Sequence, residues 1–186
     1  MTLLEMKKKA LALIEELNAD SEYLTDDPDI AAKVTEVINQ RMFQLARFKK
    51  IPKYVEIKVK KGDTLDLSSI GDACGYEVYQ LGTVCGVSHI YKASGTVLKF
   101  LESGTVEIDL FVYPERITEK TKNNYEFELS PDVLEVMPYG VAADLLKSDV
   151  SAQYGKIYAS EYESMLQMLD SRYALGSFCI EGGVRI

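Results

Sequence analysis

The hydrophobic pattern of this chain changes period twice, and this change limits the possible folds more than any other feature. Before residue 54 and after residue 129 the apolar side chains recur at helical spacing, whereas several segments of 54–129 alternate apolar and polar positions. A period near 3.6 indicates helices that bury one face, and a period of two indicates strands. The sequence therefore predicts an α+β fold. A four-helix assembly of two N-terminal and two C-terminal helices is interrupted by a β-rich insertion.

The same changes of period divide the 186 residues into parts. Residues 1–53 and 130–170 are predicted to form the helical bundle, residues 54–129 the β-rich insertion, and residues 171–186 an extended C-terminal tail. Neither pair of helices is long enough to be stable by itself, so the two pairs are expected to pack against each other.

Capping residues mark the starts of the two N-terminal helices. Thr2 and Glu5 have the spacing of a capping box, in which each side chain bonds the other residue's backbone amide. Asp27 followed by Pro28 is a strong start for the second helix, because proline suits the first helical position. Pro52 is expected to stop this helix.

Alternation in the insertion predicts several short strands. It is clearest at residues 54–60, 96–101 and 105–113, and residues 125–129 are a candidate final strand. This number of strands is enough for a small sandwich or barrel. The charged run 115–122 carries both signs and predicts a solvated loop, with contact to a neighbouring subunit as the alternative.

The C-terminal helices are predicted to form a hairpin with a close-packed seam. Pro131 starts the first of them, and Pro138 is expected to interrupt or kink it. Gly140, Ala142 and Ala143 are small, so this helix can approach its neighbour closely. The second helix has one face of residues at steps of three or four, namely Tyr154, Tyr158, Tyr162, Met165 and Leu169.

Charge and composition exclude several functional classes. A net charge of -8 and a pI near 4.8 argue against a basic surface that grips nucleic acid, because such binding needs Lys and Arg against the phosphates. The sequence contains no run of about twenty apolar residues, so no transmembrane helix is predicted. The N-terminus lacks the features of a signal peptide, so the protein is expected to remain in the cytoplasm.

Residues that could carry catalysis or bind metal are few. His89 is the only histidine, and the three cysteines, Cys74, Cys85 and Cys179, are widely spaced without a CxxC pair. A structural zinc site needs four ligands, and a catalytic histidine needs a nucleophile and an orienting acid. Free thiols are therefore expected, and we predict no catalytic residue, no metal and no cofactor.

The C-terminal hairpin carries a resemblance to a known family. The run Tyr139-Gly140-Val141-Ala142-Ala143, a short polar break and a Tyr-rich helix resemble the C-terminal half of head–tail adaptor (head-completion or connector) proteins of tailed bacteriophages. The order of two helices, a β-rich middle and a hairpin is also similar. The resemblance rests on packing motifs that carry no chemistry.

The resemblance implies a structural virion protein and a set of partners. Copies of the chain would form a ring, dodecameric in the family, beneath the portal protein and above a downstream neck or tail protein. DNA would pass through the lumen without specific binding, and no membrane would be involved. The protein would lie in the host cytoplasm during assembly and in the neck of the virion afterwards.

Two other functions remain open from the sequence. One is another neck component, such as a stopper or a tail terminator. The other is a small-ligand-binding or hydrolytic domain that uses the β insertion as its cavity, with Cys85 and His89 as a weak pair. A hyper-reactive Cys85 at neutral pH would favour the enzyme.

Six residues are candidates for an interface with another subunit or with the portal. Tyrosine suits wet interfaces because it combines a large ring with a polar hydroxyl. The tail is apolar and has too few residues for a core of its own, so we expect it to dock on a neighbour, with packing on its own helices as the alternative. The candidates are Tyr154, Tyr158, Phe178, Ile180, Val184 and Ile186.

Overall fold

The computed structural model describes residues 1–92, 96–148 and 152–170. Five α-helices and six β-strands lie in these ranges. The helices are α1 (Leu3–Leu13), α2 (Pro28–Phe48), α3 (Leu67–Cys74), α4 (Pro131–Leu145) and α5 (Ala152–Asp170). The strands are β1 (Ile51–Val59), β2 (Thr64–Asp66), β3 (Val78–Cys85), β4 (His89–Lys92), β5 (Val97–Phe100) and β6 (Gly104–Val112).

The strands form two antiparallel sheets of three strands each, so the predicted α+β class is confirmed. The larger sheet has the order β1-β6-β3, and the smaller one has the order β2-β5-β4. In the larger sheet β1 and β6 pair over nine residues, from Ile51 opposite Val112 to Val59 opposite Gly104. Alternate residues of β6 are buried, so one face of this sheet belongs to the core.

The predicted four-helix assembly is wrong. The described residues contain five helices, and α3 lies within the predicted β-rich insertion, between β2 and β3. The helices α1, α2 and α5 each pack chiefly against α4 rather than against one another. The reason lies in the composition of α4. Its buried residues lie on all sides, and a helix that is apolar all round occupies the centre of an assembly.

The helix starts follow the capping signals of the sequence. Thr2 and Glu5 form the predicted capping box, with Thr2 N donating to Glu5 Oε2 at 2.9 Å. The Asp27 carboxylate accepts from the backbone amides of Asp29 and Ile30. Helix α2 ends at Phe48, before Pro52, which lies in β1. These capping residues were sufficient to predict where the helices start, because each capping side chain bonds a backbone amide within one helical turn.

Helix α4 continues through Pro138, so of the predicted interruption or kink the interruption is wrong, and the kink stays a prediction. A proline inside a helix costs about 3 kcal/mol. Pro138 is nevertheless buried, as are its neighbours Met137 and Gly140. The contacts of α4 with three surrounding helices outweigh the cost of the missing backbone hydrogen bond.

The predicted final strand at residues 125–129 is reduced to a single bridge. Glu126 bridges Thr2, and the amide of Leu3 donates to the carbonyl of Tyr125 at 2.8 Å. The amide of Leu4 similarly donates to Asn123 at 3.0 Å. This segment therefore satisfies the free amides at the start of α1 instead of extending a sheet.

Candidate interaction surfaces

Helix α5 carries the two predicted interface residues that the structure describes. Tyr154 lies near the start of the helix with 63% of its surface exposed. Tyr158 is partly buried, and its hydroxyl donates to the carbonyl oxygen of Leu13 at the end of α1. Tyr154 is thus available to a partner, whereas the hydroxyl of Tyr158 is bonded within the subunit. The other four candidates, Phe178, Ile180, Val184 and Ile186, lie outside the described residues.

The structure brings Tyr154 and Tyr158 together at a small groove between the end of α1 and the start of α5. This α1–α5 groove has a volume of about 280 Å³. Its mixed lining includes apolar residues and two acids. The lining residues are Leu13, Ile14, Glu15, Glu16, Ile30, Leu146, Tyr154 and Tyr158.

The hairpin seam, where α4 and α5 meet, is as closely packed as the sequence predicts. A Cβ atom added to Gly140 would lie 2.8 Å from Cε2 of Tyr162 and 3.1 Å from Cδ of Arg41. Such a distance is too short for carbon atoms, so only glycine allows the Tyr162 ring this close to α4. A Cβ atom on Gly155 would lie 3.3 Å from Cβ of Leu146. The role of Gly155 was missed because a lone glycine in a helix gives no packing signal.

A nearly buried ion pair between Arg41 and Asp144 connects α2 to the hairpin seam. The Nε atom of Arg41 lies 2.5 Å from Oδ2 of Asp144, and both side chains are at most 15% exposed. The guanidinium also lies over the Tyr162 ring, 4.7 Å from its centroid. Burial would raise the pKa of Asp144, but the hydrogen bond from Arg41 and the ion pair with Lys147 outweigh burial and lower it. The pair therefore stays ionised and joins α2, α4 and α5.

A second and larger surface is the groove between α2 and α5, which also reaches residues near β3 and β6. This α2–α5 groove has a volume of about 730 Å³. Of its ten lining residues, four are aromatic and two are arginine. The lining residues are Phe43, Gln44, Leu45, Arg47, Phe48, Glu77, Tyr113, Arg116, Tyr162 and Leu166.

Stacked rings and guanidinium groups give the α2–α5 groove its shape. Phe43 meets Tyr113 edge to face, with the ring centroids 5.3 Å apart. The Arg47 guanidinium lies 5.3 Å from the Tyr113 centroid, and its Nε donates to the Tyr113 hydroxyl. Arg116 lies 5.3 Å from the Phe43 centroid and pairs with Glu36 at 3.2 Å. No pattern in the sequence indicates this groove, because its residues come from distant segments and have no common spacing.

The outer face of the larger sheet is acidic. Glu56 of β1 lies directly opposite Glu107 of β6, and Asp109 lies opposite Tyr54. Partial burial and the charges of Glu107 and Glu56 raise the pKa of Tyr54 to about 12. Like charges directly opposite each other across two strands destabilise the pair. Lys58, two residues after Glu56, lies on the same side of β1 as these acids.

His89, Cys85 and Cys74 are the residues with catalytic potential that the structure describes. Nδ1 of His89 lies 3.0 Å from the carbonyl oxygen of Val87, and the His89 ring meets Tyr91 edge to face. Cys85 is exposed and Cys74 is partly buried. Within the ranges that the structure describes, no group of three or more His, Cys, Asp or Glu residues could hold a metal ion. No helix in these ranges is long and apolar enough to cross a membrane.

Comparison of the chain with protein-family models gives no match, and comparison with curated protein sequences gives none either. The described residues supply a close-packed hairpin, two grooves and an acidic sheet face.

Proposed function

We propose that this chain is a structural subunit of the neck of a tailed bacteriophage or prophage. As a head–tail adaptor, it assembles into a ring beneath the portal and extends the channel through which DNA leaves the head. The ring is dodecameric, as the family resemblance implies. It contacts the portal on one side and a downstream neck or tail protein on the other. Its work is contact between proteins, and it catalyses no reaction.

The hairpin of α4 and α5 is the observation that carries this proposal. Among the residues that resemble the adaptor family, Gly140 lies directly beneath the Tyr162 ring of α5, and the Ala143 carbonyl oxygen would lie 3.4 Å from a Cβ atom on Gly155. The Tyr-rich helix supplies Tyr162, whose ring fills the space above Gly140. The run that resembles the family therefore serves packing in this chain, which supports a structural role.

The charge of the chain also suits a DNA channel. A net charge of -8 and the acidic sheet face would repel phosphate, so DNA could pass such a surface without adhering to it. A protein that grips DNA needs the opposite sign.

Deletion of the gene from the phage or prophage that encodes it tests the proposal. We expect the deletion lysate to contain heads without attached tails, and the wild-type gene supplied in trans to restore infectious particles. Gold-labelled antibody against the protein should mark the junction of head and tail in wild-type particles by electron microscopy. Infectious, tailed particles in the deletion lysate would contradict a role in the neck.

A stopper or tail terminator is the alternative position in the neck. An adaptor binds the portal directly, whereas a stopper or terminator needs another neck protein beneath the portal first. Purified protein should therefore bind portal-containing heads that lack every other neck protein. Binding that requires a second neck protein would favour the alternative.

A further inference from the structure

We infer that the cavity between α1 and the start of α2 binds a small zwitterion with an apolar side chain, namely a free amino acid or a dipeptide. This α1–α2 cavity has a volume of about 660 Å³. Its walls come from α1, from α2, from the loop between these two helices and from the loop after β6. The site is independent of the proposed role in the neck of a virion.

Lys7 is the residue of α1 that lines the cavity. Its side chain is partly buried, and it forms no ion pair and no hydrogen bond with any other residue that the structure describes. Burial lowers the pKa of Lys7, because it removes part of the water around the ammonium group. A buried ammonium group is usually paired with an acid. Lys7 can therefore donate hydrogen bonds to the carboxylate of a ligand.

Two acids of the same cavity also lack a partner among the described residues. Glu22 lies in the loop before α2, Glu119 lies in the loop after β6, and both are exposed. Neither pairs with Lys7, although all three residues line one cavity. Two acids beside one lysine disfavour a purely anionic ligand. They match a ligand that carries both charges, with its carboxylate toward Lys7 and its ammonium group toward the acids.

Much of the remaining wall is apolar. Leu24, Pro28 and Val34 contribute aliphatic surface, and Tyr23 contributes a ring that is 64% exposed. Cavities of this size that combine apolar walls with a few polar groups are typical of small-molecule sites. The wall therefore favours a zwitterion whose own side chain is apolar.

The backbone of Leu24 supplies independent support for a binding site. Its φ of 65° lies in the left-handed region, which a leucine rarely adopts. The Leu24 amide donates to the carbonyl of Ser21 at 3.1 Å, and the Leu24 carbonyl accepts from the amide of Asn18 at 2.8 Å. Strained residues of this kind persist where the surrounding structure holds them, and they cluster at ligand sites. Here the strained loop places Tyr23 and Leu24 in the cavity wall.

Titration of the isotope-labelled wild type, followed by two-dimensional NMR, tests the site with leucine and with leucyl-leucine as probes. We expect the amide signals of Leu24 and Thr35, which line the cavity, to move with a dissociation constant of about 1 mM or lower for at least one probe. The tighter probe shows whether the ligand is a free amino acid or a dipeptide. If neither probe moves these signals, the inference is overturned.

Two analogues of leucine test the need for both charges. Leucinamide lacks the carboxylate, and N-acetylleucine lacks the ammonium group. Each should bind at least about tenfold more weakly than leucine, because each loses a charge-assisted hydrogen bond. An analogue that binds as tightly as leucine would overturn the zwitterion as the ligand.

Lys7→Met keeps the apolar stem of the side chain and removes its charge. Because no ion pair within the described residues is lost, the variant should melt at the wild-type temperature or above it. It should bind the tighter probe at least about tenfold more weakly than the wild type. Lys8→Met is the matched control, because Lys8 is exposed and does not line the cavity. Wild-type affinity in Lys7→Met would overturn the inference. If this variant fails to fold, Lys7→Gln takes its place with the same expected loss.

The double variant Glu22→Gln/Glu119→Gln tests the opposite charge. Both side chains are exposed, so the variant should fold like the wild type. It should bind leucine about as weakly as the wild type binds N-acetylleucine, because in both cases the attraction between the ammonium group and the acids is absent. Leucine binding that is unchanged in the double variant would contradict a zwitterionic ligand.

Discussion

Asn39 and Ile117 are joined by two hydrogen bonds of 2.8 Å, one in each direction. The Asn39 side chain donates from Nδ2 to the carbonyl of Ile117, and its Oδ1 accepts from the Ile117 amide. Asn39 is 2% exposed, so water cannot replace either bond. The Asn39 side chain thus bonds both backbone groups of Ile117, as the backbone of a neighbouring strand would. These bonds attach the loop after β6 to α2. This attachment holds Arg116 beside the α2–α5 groove.

Replacing Asn39 by Leu should lower the free energy of unfolding by roughly 2–6 kcal/mol. The substitution leaves two buried backbone groups of Ile117 without partners, and each costs about 1–3 kcal/mol. Urea denaturation followed by circular dichroism measures the change. Gln40→Leu, at the next position and exposed, is the control and should stay within about 0.5 kcal/mol of the wild type. Equal effects at the two positions would contradict the role of Asn39.

Replacing Gly140 by Leu should overpack the hairpin seam and cost on the order of 1–3 kcal/mol. The first added carbon already lies 2.8 Å from the Tyr162 ring. Thermal denaturation measures the loss. In a double-mutant cycle, Tyr162→Leu should recover part of the cost of Gly140→Leu, because it removes the ring that clashes. Additive effects would mean that Gly140 and Tyr162 do not compete for the same space.

Stability should fall as the pH decreases from about 4 to about 2. Burial opposes the shift, but the hydrogen bonds from Lys49 lower the pKa of Asp132 to about 2, below its ordinary 3.8. The pKa of Asp144 is also lowered. The unfolded chain therefore binds protons before the folded chain does, and protonation favours unfolding. Urea midpoints measured against pH should decline in this window. They should decline less steeply in Asp144→Asn, which has one fewer lowered carboxyl.

Replacing Glu107 by Gln should stabilise the isolated subunit by a few tenths of a kcal/mol. The change removes the repulsion between Glu107 and the opposing Glu56. The gain should shrink in high salt, which already screens the two charges. Thermal denaturation at low and high ionic strength measures both effects. A gain that is the same at both salt concentrations would point to a cause other than charge.

Replacing His89 by Gln and Cys85 by Ser should leave folding and particle assembly unchanged. His89 contacts the carbonyl of Val87, and no metal-binding group of acids, cysteines and histidines exists in the described ranges. Infectivity of phage that carry each substitution measures the effect. Ordinary reactivity of Cys85 toward a thiol reagent at neutral pH would agree with this expectation. A loss of function in a folded His89→Gln protein would revive the hydrolytic alternative.

Local signals predicted much of the secondary structure. The capping residues at Thr2 and Asp27 and the alternation along β1 and β6 depend on neighbours in sequence, so they could be interpreted without a fold. Helix α3 was missed because its eight residues contain too few apolar positions to establish a period.

Features that depend on long-range contacts could not be predicted. The central position of α4, its continuity through Pro138 and the pairing of Glu126 with Thr2 all depend on elements far away in sequence. The α2–α5 groove is the clearest example among the surfaces. Arg47 and Tyr113 are 66 residues apart, and only folding brings them together. By contrast, the small size of Gly140 was enough to predict that α4 approaches a neighbouring helix closely. It did not indicate that Tyr162 is the residue it meets.

The attachment of α1 to residues 123–127 also sets the order in which the chain can fold during synthesis. The first amides of α1 bond to the carbonyls of Asn123 and Tyr125, which the ribosome adds roughly 120 residues later. At about 5–20 residues per second, this delay lasts on the order of ten seconds. Helix α1, which is made before the other described helices, is therefore docked late. Until then its apolar face, with Leu3 and Leu11, is exposed to chaperones and to other nascent chains.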